Sequence, residues 1–119
     1  MSGISAYHDN SVTTQSRGRL IVMLYDGAVK FLKQAIAEMD KGDWAAKGIH
    51  INKAIAIIDE LDMCLDMKAG SDIAMNLHAL YDFLRRHVTE ANTKRDPQRL
   101  REAISILEEL NEGWRTITA

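Results

Sequence analysis

Residues 72–94 read DIAMNLHALYDFLRRHVTEANTK, and this stretch decides the fold. Ile73, Leu77, Leu80, Leu84, Val88 and Ala91 recur at steps of three and four, with polar residues between them. That is the period of a helix with one apolar side, and it runs too long for a strand. The helix should end near Lys94. Asp96-Pro97 should open the next one, because aspartate caps well and proline at the first helical position loses no hydrogen bond. Leu100, Ala103, Ile104, Leu107, Leu110, Trp114 and Ile117 carry that fourth helix's stripe.

The same pattern extends toward the N-terminus. A second helix is expected over 44–67, with Ile51, Ile55, Ile58, Leu61 and Leu65 in its stripe and Ile49 and Ile57 beside it. Lys68-Ala69-Gly70-Ser71 reads as the break after it, with Ser71 as the next cap. A first helix is expected over 17–40, capped by Ser16. Leu20, Met23, Leu24, Gly27, Phe31 and Ala35 form one row, widened by Ile21, Ala28, Leu32 and Ile36. Gly42 suits a left-handed helix end and Asp43 the following N-cap. Residues 1–15 are rich in Ser, Thr, Asn and Gln, with only Ile4, Tyr7 and Val12 as isolated larger residues. They read as a mobile arm, leaving 16–119 as the folded unit.

Three helices of ~24 residues span roughly 36 Å each at 1.5 Å per residue, with the fourth somewhat shorter. Connections of a few residues force neighbours to run antiparallel. The expected architecture is therefore all-α: an up-down-up-down four-helix bundle with an N-terminal arm.

Composition agrees and excludes several classes. The 119 residues are 46% hydrophobic, enough for one core and too many for a disordered chain. Lys+Arg 15 against Asp+Glu 17 leaves a net charge of −2, so no basic excess favours nucleic acid or anionic membrane. The small cluster Lys94, Arg95, Arg99 and Arg101 is too limited for nucleic acid. A single cysteine, Cys64, excludes an internal disulfide and fits a reducing cytosol. The N-terminus lacks the form of a secretory signal, and no run approaches the ~20 apolar residues of a membrane span.

No catalytic pattern emerges. The residues three before His8, His50, His78 and His87 are Ser5, Lys47, Met75 and Leu84, so the Glu-x-x-His pairs of di-iron bundles are missing. His78 and Asp82 lie one turn apart, and a solvent-facing hydrogen-bonded pair is the simpler reading than a shared metal. Asp59, Asp62 and Asp66 read as a solvated acidic ridge, and the charge beside Cys64 works against a reactive thiolate. No phosphate loop, zinc spacing or nucleophile elbow occurs. Neither a metal nor a cofactor is expected.

What remains is apolar surface. A bundle needs about three apolar positions per heptad, and the first and third helices carry more. The excess suits a generously packed core, homodimerisation, or an outer groove for a partner. Ile49, Ile51 and Ile55 are groove candidates on the second helix, and Ile4 and Tyr7 could lie in such a groove.

Several strings carry a resemblance. They are Gly3-Ile4-Ser5-Ala6-Tyr7, Asn10-Ser11-Val12, LIVMLYDGA at 20–28, DWAAKGIHINKAIAIIDE at 43–60, NLHALYDFLRRHVTEAN at 76–92, and Trp114. The chain resembles the FliS family of flagellin-specific export chaperones over nearly its whole length. It departs from the family at Arg17, where a proline is usual and little functional effect is expected, and it matches only loosely at the start of the fourth helix. The resemblance implies a cytoplasmic bundle that binds the C-terminal region of flagellin, which is disordered when free and folds around the chaperone. It also implies delivery to an export gate component of the flagellar type III apparatus, with regulatory proteins as further partners. The alternative reading of the residues is a homodimeric helical adaptor or structural interaction protein without a flagellin client, and a weak homodimer is the expectation for the free state. Ile4 and Tyr7 are carried over as anchors of the arm. Leu24 and Leu80 read as core, Leu80 remaining a partner-side candidate with its neighbour. Tyr25 and Tyr81 either line the partner surface or rest satisfied at the bundle edge. Asp26 and Asp82 are expected to fix neighbouring helices.

Overall fold

A computed structural model of the protein describes residues 10–65 and 72–118, with side chains from residue 17 to residue 117. Four helices account for it: α1 (Asn10–Lys41), α2 (Trp44–Met63), α3 (Asp72–Lys94) and α4 (Pro97–Thr118). No strand occurs among the described residues. The expected all-α class holds.

Two connections follow from single residues. Gly42 has φ +76°. Its N–H donates to the Met39 carbonyl at 3.0 Å, and the Asp43 N–H donates to the Glu38 carbonyl at 2.9 Å. This is the paired closure of a helix that ends in a left-handed glycine. Asp43 then caps α2, its Oδ1 accepting from the Ala46 N–H at 3.0 Å. At the end of α3 the Asp96 N–H donates to the Ala91 carbonyl at 3.0 Å, and Asp96 Oδ1 accepts from the Gln98 N–H at 3.0 Å. Pro97 is the first residue of α4, as its missing donor predicts.

Two boundaries differ from the sequence expectation. Helix α1 begins at Asn10, so Ser16 lies inside it and residues 10–15 continue the helix instead of belonging to an arm. Arg17 supplies the reason: a proline there would lack the N–H and push the preceding residue out of helical backbone, whereas arginine lets the helix pass. Residues 1–9, with Ile4 and Tyr7, lie outside the described residues. Helix α2 ends at Met63, short of residue 67. Its last turn tightens there: the Cys64 N–H is shared between the Glu60 and Leu61 carbonyls, and the Leu65 N–H donates to Asp62. Asp66, the 68–71 break and the Ser71 cap lie outside the described residues.

Cross-helix pairs fix the arrangement. Asp26 meets Asn111 and Arg115 while Lys33 meets Glu108, so α1 and α4 run in opposite directions. Lys47 meets Asn92 while Asp59 and Asp62 meet Arg85, giving the same relation for α2 and α3. His87 with Glu102 and Glu90 with Arg99 repeat it for α3 and α4. Phe31 stacks near His50, and Ile57 Cδ1 lies 3.2 Å from where a Cβ on Gly27 would stand, which orders α1 against α2 likewise.

The core draws on all four helices. Ile21, Tyr25, Ala28, Leu32 and Ala35 of α1 meet Ile51, Ala54, Ile58 and Leu61 of α2, Leu84, Val88 and Ala91 of α3, and Leu100, Ala103 and Leu107 of α4. The first helix therefore buries the row expected only to widen its stripe. Leu20 and Met23, expected in the leading row, stand in solvent, as do Ile73 and Ile117 at the ends of their stripes. All four lie toward the end of the bundle where, among the described residues, Met63 ends α2 and Asp72 starts α3.

Candidate functional site

The string LIVMLYDGA at 20–28 directs consecutive side chains at three different helices. Tyr25 reaches α3, where its hydroxyl lies 2.5 Å from that of Tyr81. Asp26 reaches α4, with Oδ1 accepting from Asn111 Nδ2 at 2.8 Å and from Arg115 at 2.5 Å. Gly27 faces α2 and lets Ile57 close in. Ala28 is fully buried. One turn of α1 thus sets the spacing of the other three helices.

The phenols are interior groups. Tyr25 and Tyr81 are both buried. Burial pushes each hydroxyl's pKa up. Trp114 hydrogen-bonds Tyr25 as well. Its indole N–H can only donate, so the Tyr25 oxygen accepts there. Ile51 is likewise closed off. Of the sequence candidates, Tyr25, Ile51 and Tyr81 therefore belong to the packed interior rather than to a partner-facing surface. The reason is the diagonal reach of the two tyrosines, which period alone does not show. Ile55 and Leu80 are half-buried at the core's margin. Ile49 is the fully surface-facing member of the set, 55% exposed.

Residues that period reading missed or assigned to the interior add to the exposed apolar surface. Met63 is 78% exposed, Ile73 72% and Met75 58%. Leu20, Met23 and Ile117 are exposed too. All six come from the start of α1 and α3 or the end of α2 and α4, which the antiparallel order brings to one end. Three are methionines, whose flexible thioethers adapt to varied apolar partners. The available signal was methionine at helix positions where lysine or glutamate would ordinarily meet water.

Beside this end lies an ionic cluster. Arg85 bonds Asp59 at 3.0 Å, Asp62 at 2.9 Å, and Asp82. His78 Nδ1 lies 2.8 Å from Asp62 Oδ1, and its Nε2 lies 3.6 Å from Asp82. Hydrogen bonding to Asp62 raises the His78 pKa, and hydrogen bonding from Arg85 lowers that of Asp82. The ligand atoms of Asp62, His78 and Asp82 are mutually within 4.8 Å. Arg85 bonds two of the three, Asp62 and Asp82. The acidic ridge is thus half of a clasp joining α2 to α3, and Asp82 ties to a neighbouring helix only through Arg85 and His78. Cys64 has its pKa raised, first by burial and then by Glu60, so it favours the inert thiol.

No described helix is long and apolar enough to cross a membrane. Aliphatic and thioether side chains stand in solvent at one end of the bundle, and exposed apolar residues of this kind suit contact with another chain. The fold defines the class: an all-α helical bundle with apolar side chains exposed at one end.

Comparison with known proteins gives the particular family. The family model described as "Flagellar protein FliS" matches residues 1–119. The flagellar secretion chaperone FliS of Vibrio cholerae is 41% identical over 106 residues, covering 89% of this chain and 78% of that protein. The Salmonella typhimurium protein of the same name is 39% identical, covering 98% of this chain and 90% of its own. That of Bacillus subtilis is 32% identical, covering 93% and 82%. The chain belongs to the FliS family.

Proposed function

We propose that this protein is a cytoplasmic, non-enzymatic flagellar export chaperone. It binds the disordered C-terminal region of flagellin, prevents premature polymerisation, and presents it to an export gate component of the flagellar type III apparatus. Family membership supports the chaperone role. The observation that carries the binding mode is the solvent-facing set Met63, Ile73 and Met75 at the end of α2 and the start of α3, with Ile49 exposed further along α2. An amphipathic segment laid across such residues gains the burial it lacks when alone. Ile55 and Leu80 form the margin of this surface, and Tyr25, Ile51 and Tyr81 hold it rigid from beneath.

The energetics suit reversible capture. Coupled folding and binding commonly buries ~1,000–3,000 Å² and spends several kcal/mol on ordering the client. Gross burial is then large while net affinity stays compatible with release. In this reading Ile4 and Tyr7 cover part of the surface in the free protein, so their replacement by alanine raises self-association and changes client affinity. The test of the function is circular dichroism of the full chain mixed with a flagellin C-terminal fragment. Helix content above the sum of the separate spectra supports the reading, and a purely additive spectrum opposes it.

A further inference from the structure

The opposite end of the bundle, where α2 begins and α3 ends, carries a feature outside the exposed apolar end. Arg95 follows α3 with φ +52°, a non-glycine residue in the left-handed region. The same position after α1 is held by Gly42. A side chain there costs backbone strain that glycine would avoid, and retained strain points to a use for the side chain. The Arg95 guanidinium lies 4.3 Å from the centroid of the Trp44 indole, which is 36% exposed. Lys47 Nζ lies 5.7 Å from the same centroid.

These two cations lack an anion. Among the described residues, neither Arg95 nor Lys47 has a carboxylate within ion-pair distance. Neighbouring cations do: Lys41 pairs with Glu38, Lys94 with Glu90, and Arg99 with Glu90 and Asp96. The nearby carboxylates of Asp43 and Asp96 are spent on capping α2 and α4. Lys47 is 6% exposed and donates only to the backbone carbonyl and side chain of Asn92. Its pKa is lowered, by burial first and then by the Arg95 charge. The structure thus holds a guanidinium without a carboxylate partner over an exposed tryptophan, with a second, buried cation beside the same ring. Trp and Arg are the residue types that dominate binding energy when a partner seals them from water.

We propose that Trp44 and Arg95, backed by Lys47, form an anchor for a carboxylate-bearing segment of a partner protein. The planar fork of Arg95 would take a Glu or Asp carboxylate in two parallel hydrogen bonds, and the indole would cover the acidic residue's apolar stem.

The experiment is an NMR titration of the full-length ¹⁵N-labelled chain, without client, using poly-L-glutamate as probe. The expected result is saturable movement of the Trp44 indole and Arg95 Nε signals, weakening as salt rises. Arg95→Gly suits the backbone at φ +52° and keeps the fold, so it should lower the affinity about tenfold. Trp44→Leu, which leaves the charge in place, should weaken binding by a smaller factor. Three results would overturn the proposal: no shift at these residues, unchanged affinity in Arg95→Gly, or the same shifts from inorganic phosphate at matched ionic strength. The last would mark a general anion site rather than a peptide anchor.

Discussion

The hydroxyls of Tyr25 and Tyr81 meet at 2.5 Å inside the bundle, tying α1 to α3 across its diagonal. Both residues are buried, so each hydroxyl depends on partners inside the protein, Tyr81 on Tyr25 and Tyr25 on Tyr81 and Trp114. Tyr25→Phe removes the partner of the Tyr81 hydroxyl and an acceptor for Trp114, and Tyr81→Phe removes one of the two partners of the Tyr25 hydroxyl; each should cost about 1–3 kcal/mol in urea unfolding. The double variant should cost less than the sum, because no buried phenol hydroxyl is then left without its mate. Additive losses would show that the two hydroxyls act independently.

The clasp around Arg85 makes stability depend on pH at both ends. The His78 pKa is raised above 6.5, so its contribution is complete below that value and is lost as pH rises through the folded-state value. The Asp82 pKa lies below 3.8, so its contribution holds above that value and is lost as pH falls through the depressed one. His78→Gln should abolish the alkaline-side decline in denaturation midpoint, and an NMR titration of His78 should give a midpoint above 6.5.

Gly27 distinguishes close approach from simple helix propensity. A Cβ there would stand 3.2 Å from Ile57 Cδ1, the end of a side chain that can rotate. Gly27→Ala should be nearly neutral, since about 1 kcal/mol of helix propensity offsets the contact. Gly27→Val has no such relief and should destabilise by about 1–3 kcal/mol. Thermal unfolding of the two variants separates these outcomes.

Surface and interior should separate cleanly. Met63→Ser and Ile73→Ser should leave stability within about 0.5 kcal/mol while weakening flagellin-fragment binding. Ile51→Ala should instead cost about 2–5 kcal/mol of stability, because it leaves a cavity among closed-packed neighbours. Equal stability losses at Met63 and Ile51 would place Met63 in the core.

Much of the fold was legible because it rests on local chemistry. Gly42, Asp43, Asp96 and Pro97 mark their connections in the sequence and behave as their backbone preferences require. The start of α1 was not legible, since the polar residues 10–15 lack a period and helical continuation past Arg17 depends only on the absence of a breaker. The surface was legible in part. Ile49 lay outside the α2 stripe and is exposed, whereas Ile73 lay in the α3 stripe and is exposed all the same. Period gives the direction of a side chain but not how far along the bundle a neighbour extends. Nor does it reveal a diagonal contact, which is why two buried tyrosines read as candidates for the surface. Arg85 was not singled out at all, because its three carboxylates come together only when α2 and α3 pack.

Isothermal titration of the intact protein with a flagellin C-terminal fragment, repeated at several temperatures, addresses the central claim most directly. Saturation at one fragment per chain with a clearly negative heat-capacity change is the predicted result, the mark of apolar surface leaving water on association. Absence of binding, or binding with a heat-capacity change near zero, would contradict it.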